Sequence, residues 1–355
     1  MSKILFLIGS LQAGGAERVA SRLCSQWAID DDVTLASADS IINDFYSVDN
    51  GVKRISLDFN YRRKGLFGKT YEQLKRFLSI VTAYKNENPD VVIVSCSDIS
   101  IRSLCSLLFI NKPIIVCEHN NYFALRSTFK RLCRLVLYRK ATHLLLLTSR
   151  DIENYTQRRF PKQLISVMPN PLGIENNKYI PKKNLNSLLA VGRLCEQKAF
   201  DRLIELFLNV DPQCTLNIIG DGPERVSLQE KIDTLGLSKR ITLQGQVKNI
   251  SDYYNNSSVL LMTSIYEGLP MVIGEANAFG LPVIAYDCPT GPREMIEHGV
   301  NGYLIKDGEQ SSFIATVNEL VATPELYKKM SNSAFVKAKS RSIGEISKLW
   351  KKLIV

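Results

Sequence analysis

Short apolar runs alternate with longer amphipathic stretches along the 355 residues of the chain. Apolar runs bounded by Gly, Pro or charged residues predict buried strands, and the intervening stretches have the spacing of helices. This alternation predicts an α/β fold built on parallel, doubly wound sheets. The predicted strands lie near residues 3–9, 33–37, 52–57, 91–95, 113–118, 143–148, 187–192, 215–220, 241–244, 259–263 and 282–285.

A polar, proline-containing stretch interrupts the alternation and predicts a boundary between two domains. The first domain is expected at 1–172, the linker at 173–186 and the second domain at 187–335. Ile346, Leu349, Trp350 and Leu353 recur at helical spacing in the final segment, 336–355. That segment is therefore expected to be helical.

Two acids eight residues apart, Glu267 and Glu275, flank a predicted strand-to-helix junction. Glu267 lies in the loop after the strand, and Glu275 lies about one and a half turns into the helix. Ligands of doubly wound sheets bind at the carboxyl ends of the strands. Arg193, Lys198 and Val247 also follow predicted strand ends, so one ligand-binding crevice is expected there.

Other interpretations of the acid pair are open at this point. Glu267 could stabilise a helix N-terminus, and Glu275 could be a solvated helix position. Helix rise over eight residues gives roughly 12 Å. The carboxyl pair of a glycoside hydrolase needs roughly 5 to 9.5 Å. The spacing therefore favours holding a long ligand, since carboxylates accept paired hydrogen bonds from sugar hydroxyls.

Several motifs in order carry a family resemblance. They are Gly14-Gly-Ala-Glu-Arg18, Glu118-His119-Asn120, Gly192-Arg193-x4-Lys198, Gly220-Asp-Gly-Pro223, Glu267-x7-Glu275 and Gly280-Leu-Pro-Val283. Over nearly its whole length the chain resembles the retaining, nucleotide-sugar-dependent glycosyltransferases of family four. The resemblance implies the GT-B fold, in which two Rossmann-like domains face a central cleft. It also implies that the last segment crosses back to the first domain.

The resemblance also implies roles for individual residues. Arg193 and Lys198 would hold the donor diphosphate, Glu275 the ribose hydroxyls, and Glu267 with the Gly268 loop the donor sugar. The expected catalytic residues are Glu267, His119, Arg193 and Lys198. The expected donor-binding residues are Gly14, Gly15, Arg193, Lys198, Val247, Glu267, Gly268, Leu269, Met271 and Glu275. Ala199 stands where the family often has glycine, and a small effect is expected.

Positive charge is concentrated in the first half of the chain. Residues 1–170 carry 24 Lys and Arg against 15 Asp and Glu, whereas the other 185 residues carry 21 against 20. Two segments have the pattern of basic amphipathic helices, 62–85 and 126–140. The first is expected to contact an anionic membrane or acceptor through Arg62, Arg63, Lys64, Lys69, Lys75 and Arg76. The second, with Arg126, Lys130, Arg131, Arg134, Arg139 and Lys140, is equally compatible with a core-facing helix.

The remaining residues argue against a metal site, a nucleic-acid-binding module and a membrane-spanning helix. Eight cysteines are scattered singly, and no His/Cys cluster has metal-ligand spacing, so no metal and no cofactor are expected. Asp30-Asp-Asp32 resembles a metal-binding motif but precedes a strand, which favours a solvated turn. No nucleic-acid module is present, so no nucleic-acid partner is expected. No apolar run approaches the roughly 20 residues of a membrane span, which favours a cytoplasmic protein, peripheral on the inner membrane face.

The sequence therefore predicts a retaining, metal-independent hexosyltransferase. It would move a hexose or N-acetylhexosamine from a nucleotide diphosphate sugar, with UDP favoured on family grounds. The acceptor would be a glycan hydroxyl, either polyprenyl-diphosphate-linked or part of a surface polysaccharide such as lipopolysaccharide, O-antigen or capsule. Two alternatives are a nucleotide-sugar epimerase of the same fold and a non-catalytic membrane-associated binding protein.

Overall fold

The chain folds into two compact units. The computed structural model describes residues 1–59, 66–119, 122, 125, 127–158, 160–176, 178–182 and 184–354. The first unit comprises Met1–Pro171 with Ile343–Val355, and the second comprises Leu172–Ser342. Most of the segment expected at 173–186 is thus part of the second unit, as are residues 336–342.

The first unit is built on one parallel sheet. In its described part the strands are β1 (Lys3–Ile8), β2 (Asp32–Ser37), β3 (Val52–Ser56), β4 (Val91–Ser95), β5 (Ile114–Glu118), β6 (His143–Leu146) and β7 (Ile165–Val167). They are ordered β3-β2-β1-β4-β5-β6-β7. The sequence did not predict β7, because its three residues are too few to show a pattern.

The central strands β4 and β5 of this sheet are buried along their whole length. This burial is expected for parallel strands covered on both faces. The helices between the strands are α1 (Gly15–Trp27), α2 (Leu66–Glu87), α3 (Ser97–Ser106), α4 (Thr128–Leu137) and α5 (Ser149–Thr156). Arg62, Arg63 and Lys64 lie outside the described residues, so the predicted 62–85 helix is seen from Leu66 onward.

The second unit is also built on one parallel sheet with helices between its strands. Its strands are β8 (Ser187–Val191), β9 (Thr215–Ile219), β10 (Ile241–Gly245), β11 (Val259–Met262), β12 (Val283–Tyr286) and β13 (Gly302–Ile305). Its helices are α6 (Phe200–Leu206), α7 (Arg225–Thr234), α8 (Ile250–Asn256), α9 (Met271–Ala278), α10 (Pro292–Met295), α11 (Gln310–Ala322) and α12 (Pro324–Lys339). The sequence did not predict β13.

Strand order sets the place where each unit can bind a ligand. The second sheet is ordered β10-β9-β8-β11-β12-β13, and all its strand pairs are parallel. This is the doubly wound order of Rossmann folds, whose direction of winding reverses between the first and fourth strands. The predicted fold class is confirmed, and the switch point of the second unit lies between β8 and β11.

The last helix, α13 (Ile343–Ile354), belongs to the first unit. Its Trp350 ring lies 5.3 Å from the Trp27 ring of α1, measured between centroids. The Lys351 ammonium lies 2.8 Å from a carboxylate oxygen of Asp30 and 3.2 Å from one of Asp31. These two acids are therefore ion-paired to the last helix. Along the part of the chain that the structure describes, no helix is long and apolar enough to cross a bilayer.

Candidate functional site

The loops after β8 and β11 bring two of the predicted site residues together. Lys198 ends a short 3₁₀ turn after β8, and Glu267 lies in the loop after β11. The Lys198 ammonium is 2.6 Å from a Glu267 carboxylate oxygen, and the two side chains are 17% and 6% exposed. An ion pair this buried fixes both side chains at the switch point of the sheet.

Neighbouring glycines hold these loops in place. A Cβ on Gly192 would lie 3.1 Å from the Lys198 stem, so the lysine passes over a residue without a side chain. Gly220 has φ of +135°, and a Cβ there would overlap the Gly192 carbonyl oxygen. A Cβ on Gly222 would likewise overlap the carbonyl oxygen of Leu194. The Gly-Asp-Gly-Pro motif therefore supports the loop that carries Lys198.

Arg193 is the second cation of this loop. Its side chain is exposed and makes no ion pair or hydrogen bond with the residues that the structure describes. The neighbouring backbone is fixed, because the Leu194 amide donates to the Asp221 carbonyl at 3.0 Å. Arg193 is thus a charged group on a rigid loop, available to an anionic ligand.

The loop before α10 supports Glu267 from the other side. The Thr290 hydroxyl donates a hydrogen bond to the Glu267 carbonyl oxygen. Gly291 has φ of +94°, and a Cβ there would overlap the Gly268 carbonyl oxygen. Glycine is required at such a position, because it alone combines this conformation with this close approach. Neither residue was predicted from the sequence as part of the site.

Glu275 lies inside the second unit, on α9. The residue is 3% exposed, and its carboxylate accepts a hydrogen bond of 3.0 Å from the Tyr254 hydroxyl of α8. The Tyr254 ring stacks on Phe279 with centroids 5.3 Å apart. A buried carboxylate held by a packed tyrosine has a defined direction, which suits recognition of a ligand better than a solvated position would.

Three further predicted residues lie in the second unit. Leu269 is buried, and Met271 is the half-buried first residue of α9. Val247 is half-buried in the loop after β10. Beneath that loop, Arg225 donates to the Leu243 carbonyl at 3.2 Å, while its Nη1 has no hydrogen-bond partner among the described residues.

The glycine loop of the first unit lies at the start of α1. Gly14 is the N-cap and Gly15 the first helical residue. A Cβ on Gly14 would overlap the Glu17 carboxylate, which therefore lies over the helix start. A phosphate at these amides would require Glu17 to move, since both are negatively charged.

His119 directly follows β5 in the first unit. Its side chain is half-buried, and its Nδ1 is buried without a hydrogen-bond partner among the described residues. Burial lowers the pKa of His119 to about 4. Glu118, which precedes it, is buried and accepts hydrogen bonds from the Ser97 hydroxyl at 2.7 Å and from the Tyr138 hydroxyl. Burial raises the pKa of Glu118.

Among the described residues of the two basic helices, Arg134 differs from the predicted pattern. Lys69 is exposed, Lys75 lies over the Tyr71 ring, and Arg76 donates to the Phe59 carbonyl at 3.1 Å. The expectation that Arg134 belongs to the charged face of α4 is wrong. It is 1% exposed, and its guanidinium lies 3.9 Å from the centre of the Tyr122 ring, where cation–π attraction compensates for lost hydration.

Two family models match the chain. "Glycosyltransferase Family 4" matches residues 13–175, and "Glycosyl transferases group 1" matches residues 174–337. The amylovoran biosynthesis glycosyltransferase AmsD of Erwinia amylovora is 35% identical over an alignment that covers all of both chains. The chain belongs to glycosyltransferase family 4.

Further relatives of this glycosyltransferase cover its whole length. A Campylobacter jejuni enzyme, GalNAc-α-(1→4)-GalNAc-α-(1→3)-diNAcBac-PP-undecaprenol α-1,4-N-acetyl-D-galactosaminyltransferase, is 29% identical over all of this chain and 98% of its own. Among solved structures, Anabaena HepE in complex with UDP superposes with a TM-score of 0.82 at 19% identity, covering 99% of each chain. The apo lipopolysaccharide galactosyltransferase WaaB gives 0.78 at 22% identity, covering 99% of this chain and 98% of its own. The predicted GT-B fold is confirmed.

The glycosyltransferase departs from its family's frequent glycine at Ala199, and the structure shows the consequence. Ala199 has φ of +48° and ψ of +49°, in the left-handed region, directly after Lys198. An L-residue there costs roughly 1–2 kcal/mol. We expect Ala199→Gly to raise the free energy of unfolding of the second unit by about 1 kcal/mol. Urea unfolding measures this, and Ala276→Gly, inside α9, should instead lower it by about 1 kcal/mol.

His119 gives the glycosyltransferase a pH dependence of stability. Its folded pKa of about 4 lies below the ordinary 6.5, so between these values the unfolded chain binds a proton that the folded chain does not. The free energy of unfolding should therefore fall as pH falls from 6.5 to 4, by about 2 kcal/mol for a half-buried ring. Urea unfolding of His119→Gln should lack this component, and parallel pH profiles would contradict the burial argument.

Among the described residues, no three or more His, Cys, Asp or Glu side chains are grouped so that they could hold a metal ion. Whether transfer proceeds without a metal stays a prediction. Gly14, Gly15 and His119 belong to one unit and the Lys198–Glu267 pair to the other, so their use of one donor also stays a prediction.

Proposed function

We propose that this family 4 enzyme is a retaining glycosyltransferase that moves a hexose or N-acetylhexosamine from a UDP-sugar. The acceptor is a hydroxyl of a lipid-linked or surface-polysaccharide glycan at the cytoplasmic membrane face. One observation carries the proposal. A buried Lys198–Glu267 pair at the switch point lies in the loops that also carry the exposed Arg193.

Departure of a nucleoside diphosphate requires cations at the leaving group. Lys198 has three N–H donors, and its contact with Glu267 uses one, which leaves donors for phosphate oxygens. Arg193 offers a fork of donors that matches a phosphate. Both cations are held on a rigid loop, so they stabilise the developing charge without reorganising at the moment of reaction. A bound metal is not needed for this role.

Glu275 and Glu267 hold the two ends of the donor in this proposal. The Glu275 carboxylate, directed by Tyr254, accepts hydrogen bonds from the ribose hydroxyls. Glu267 and the Gly268 backbone face the transferred sugar, and the Val247 loop faces the base. The acceptor hydroxyl attacks the anomeric carbon on the face that the leaving group vacates, which gives retention. The hydroxyl proton passes to the departing phosphate oxygen.

The names of relatives support the donor and acceptor classes. HepE of Anabaena was crystallised with UDP and with UDP-glucose, and the Campylobacter jejuni relative is named for a PP-undecaprenol-linked acceptor. AmsD is named for amylovoran biosynthesis. We infer that this enzyme acts on the same broad classes of substrate.

Screening labelled nucleotide sugars against bacterial lipid extracts tests the proposed activity. The expected result is label in a lipid-linked or polymeric glycan, with the anomeric configuration of the donor retained. Release of free sugar from donor alone would indicate an epimerase instead. Absence of any donor binding by calorimetry would indicate a non-catalytic binding protein.

Exposed apolar residues on two helices support the membrane part of the proposal. Phe129, Leu132 and Val136 of α4 are 75%, 60% and 63% exposed, and they share one helix face. Tyr71, Leu74 and Leu78 form a similar exposed stripe on α2. Basic residues accompany both stripes, including Lys69, Lys75, Arg139 and Lys140. This combination is typical of helices that lie in a membrane interface.

The double variant Leu74→Ser/Leu78→Ser tests this contact. Two leucines would no longer enter the interface, so binding to anionic vesicles should weaken at least about tenfold. Co-sedimentation with phosphatidylglycerol vesicles measures the effect. Val336→Ser, at an exposed position on α12, is the control and should bind like the wild type. Equal binding by all three proteins would remove the membrane claim.

A further inference from the structure

A groove of about 320 Å³ lies between α2, α3 and α4 of the first unit. Its lining is mainly apolar, with Phe77 from α2, Ile101 from α3, and Phe129 and Leu137 from α4. Phe77 and Phe129 are also exposed, so the groove opens beside the apolar stripes of α2 and α4. Its volume is within the roughly 300–1,000 Å³ of pockets that bind small molecules.

Two guanidinium groups, Arg76 and Arg102, line the same groove. Arg102 donates to the neutral side chain of Gln73, and burial together with the charge of Arg76 lowers its pKa. The Arg76 guanidinium lies 3.7 Å from the Glu72 carboxylate. Its Nε is buried without a hydrogen-bond partner among the described residues. Asp98 also acts on the Arg102 charge and is ion-paired with Lys130. Three cations and two acids therefore leave a net positive charge beside an apolar groove.

We propose that this groove binds one hydrocarbon chain of an anionic membrane phospholipid, with the lipid phosphate against Arg76 and Arg102. The apolar lining matches the chain, and the two guanidinium groups match the phosphate. A bilayer presents hydrocarbon chains and phosphate groups together at the surface that the stripes of α2 and α4 contact in the proposed function. The inference rests on the membrane contact in the proposed function and adds a stoichiometric lipid site to it.

Native mass spectrometry of the full chain, incubated in detergent with phosphatidylglycerol, tests the site. Wild-type protein should retain one phosphatidylglycerol. Cys105→Trp fills the groove at an exposed lining position and should reduce retention at least tenfold. Arg102→Gln should weaken retention about fivefold, because one charge near a lipid headgroup is lost. Ser312→Trp, at an exposed position on α11, and Lys239→Gln, at an exposed position before β10, should retain lipid like the wild type.

The outcomes separate this site from its alternatives. Equal retention of phosphatidylcholine, or unchanged retention by Cys105→Trp, would overturn the proposal. Preferential retention of a polyprenyl phosphate, or displacement of the lipid by inorganic phosphate, would also overturn it. UDP binding by each variant reports whether the second unit is folded, and circular dichroism reports on the whole chain. If vesicle binding persists without stoichiometric lipid, the membrane contact stands and the groove proposal fails.

Discussion

Replacing Arg193 or Lys198 with alanine will lower kcat/KM for sugar transfer by about a hundredfold or more. In the proposed mechanism each substitution removes a cation that offsets the charge of the departing diphosphate, and the loss of one such group costs about 3 kcal/mol. Arg193 is exposed and makes no ion pair within the described part of the chain. Its substitution should therefore leave the free energy of unfolding unchanged.

Lys198→Ala should differ from Arg193→Ala in stability. Without Lys198, the buried Glu267 carboxylate loses the ion pair that the two side chains form. We expect a loss of about 2–3 kcal/mol, below the 3–5 kcal/mol of fully buried pairs because Lys198 is partly exposed. The double variant Lys198→Met/Glu267→Gln should regain most of this stability and stay inactive. Steady-state kinetics and urea unfolding on the same preparations separate the two effects.

Lys239→Ala is the matched control for both substitutions. Lys239 is exposed immediately before β10, at the end of the strand opposite to the ligand edge. Its loss should change neither turnover nor stability. Near wild-type turnover by Arg193→Ala or by the Lys198→Met/Glu267→Gln variant would show that the diphosphate binds elsewhere.

Glu275→Gln is expected to raise the Kd for UDP about thirtyfold. The carboxylate would lose charge-assisted hydrogen bonds to the ribose, which contribute about 1.5–3 kcal/mol. Tyr254→Phe removes the hydroxyl that directs Glu275, and should raise the Kd about fivefold, since a neutral hydrogen bond contributes about 1 kcal/mol. Calorimetry with UDP measures both effects.

An analogue without ribose hydroxyls, 2′,3′-dideoxy-UDP, shows whether Glu275 acts on the ribose. The wild type should bind this analogue much more weakly than UDP, whereas Glu275→Gln should bind the two with similar affinity. If Glu275→Gln weakens both ligands by the same factor, the glutamate supports α9 and does not contact the ribose.

The sequence predicted an element most accurately where its apolar residues followed one regular pattern. Buried strands such as β4 and β11 are continuous apolar runs, and their bounds were predicted to within one or two residues. The helix that carries Glu275 was also predicted, and it lies between Pro270, before its first turn, and Gly280, after its last. β7 was missed because its three residues are too few to show a pattern, and β13 was missed because it begins at Gly302 and has only three apolar residues in a row.

The support of the candidate site was not predictable from local pattern. Tyr254, Thr290 and Gly291 contact the predicted residues from loops and helices distant in sequence. Arg134 was placed on a charged face by its helical spacing, but the Tyr122 and Tyr155 rings surround its guanidinium. The spacing of residues along one helix does not show which side chains from other segments will lie beside it.

Spacing and residue type alone determined that the chain forms two doubly wound sheets, and which loops carry Arg193, Lys198, Glu267 and Glu275. Periodicity is a local property, and strand ends of parallel sheets are placed by topology rules that need no coordinates. Only the tertiary structure decided that Lys198 pairs with Glu267, that Ala199 is left-handed and that a cationic groove opens between α2, α3 and α4. The ion pair and the groove depend on atoms brought together from separate segments, and no local pattern encodes their distances.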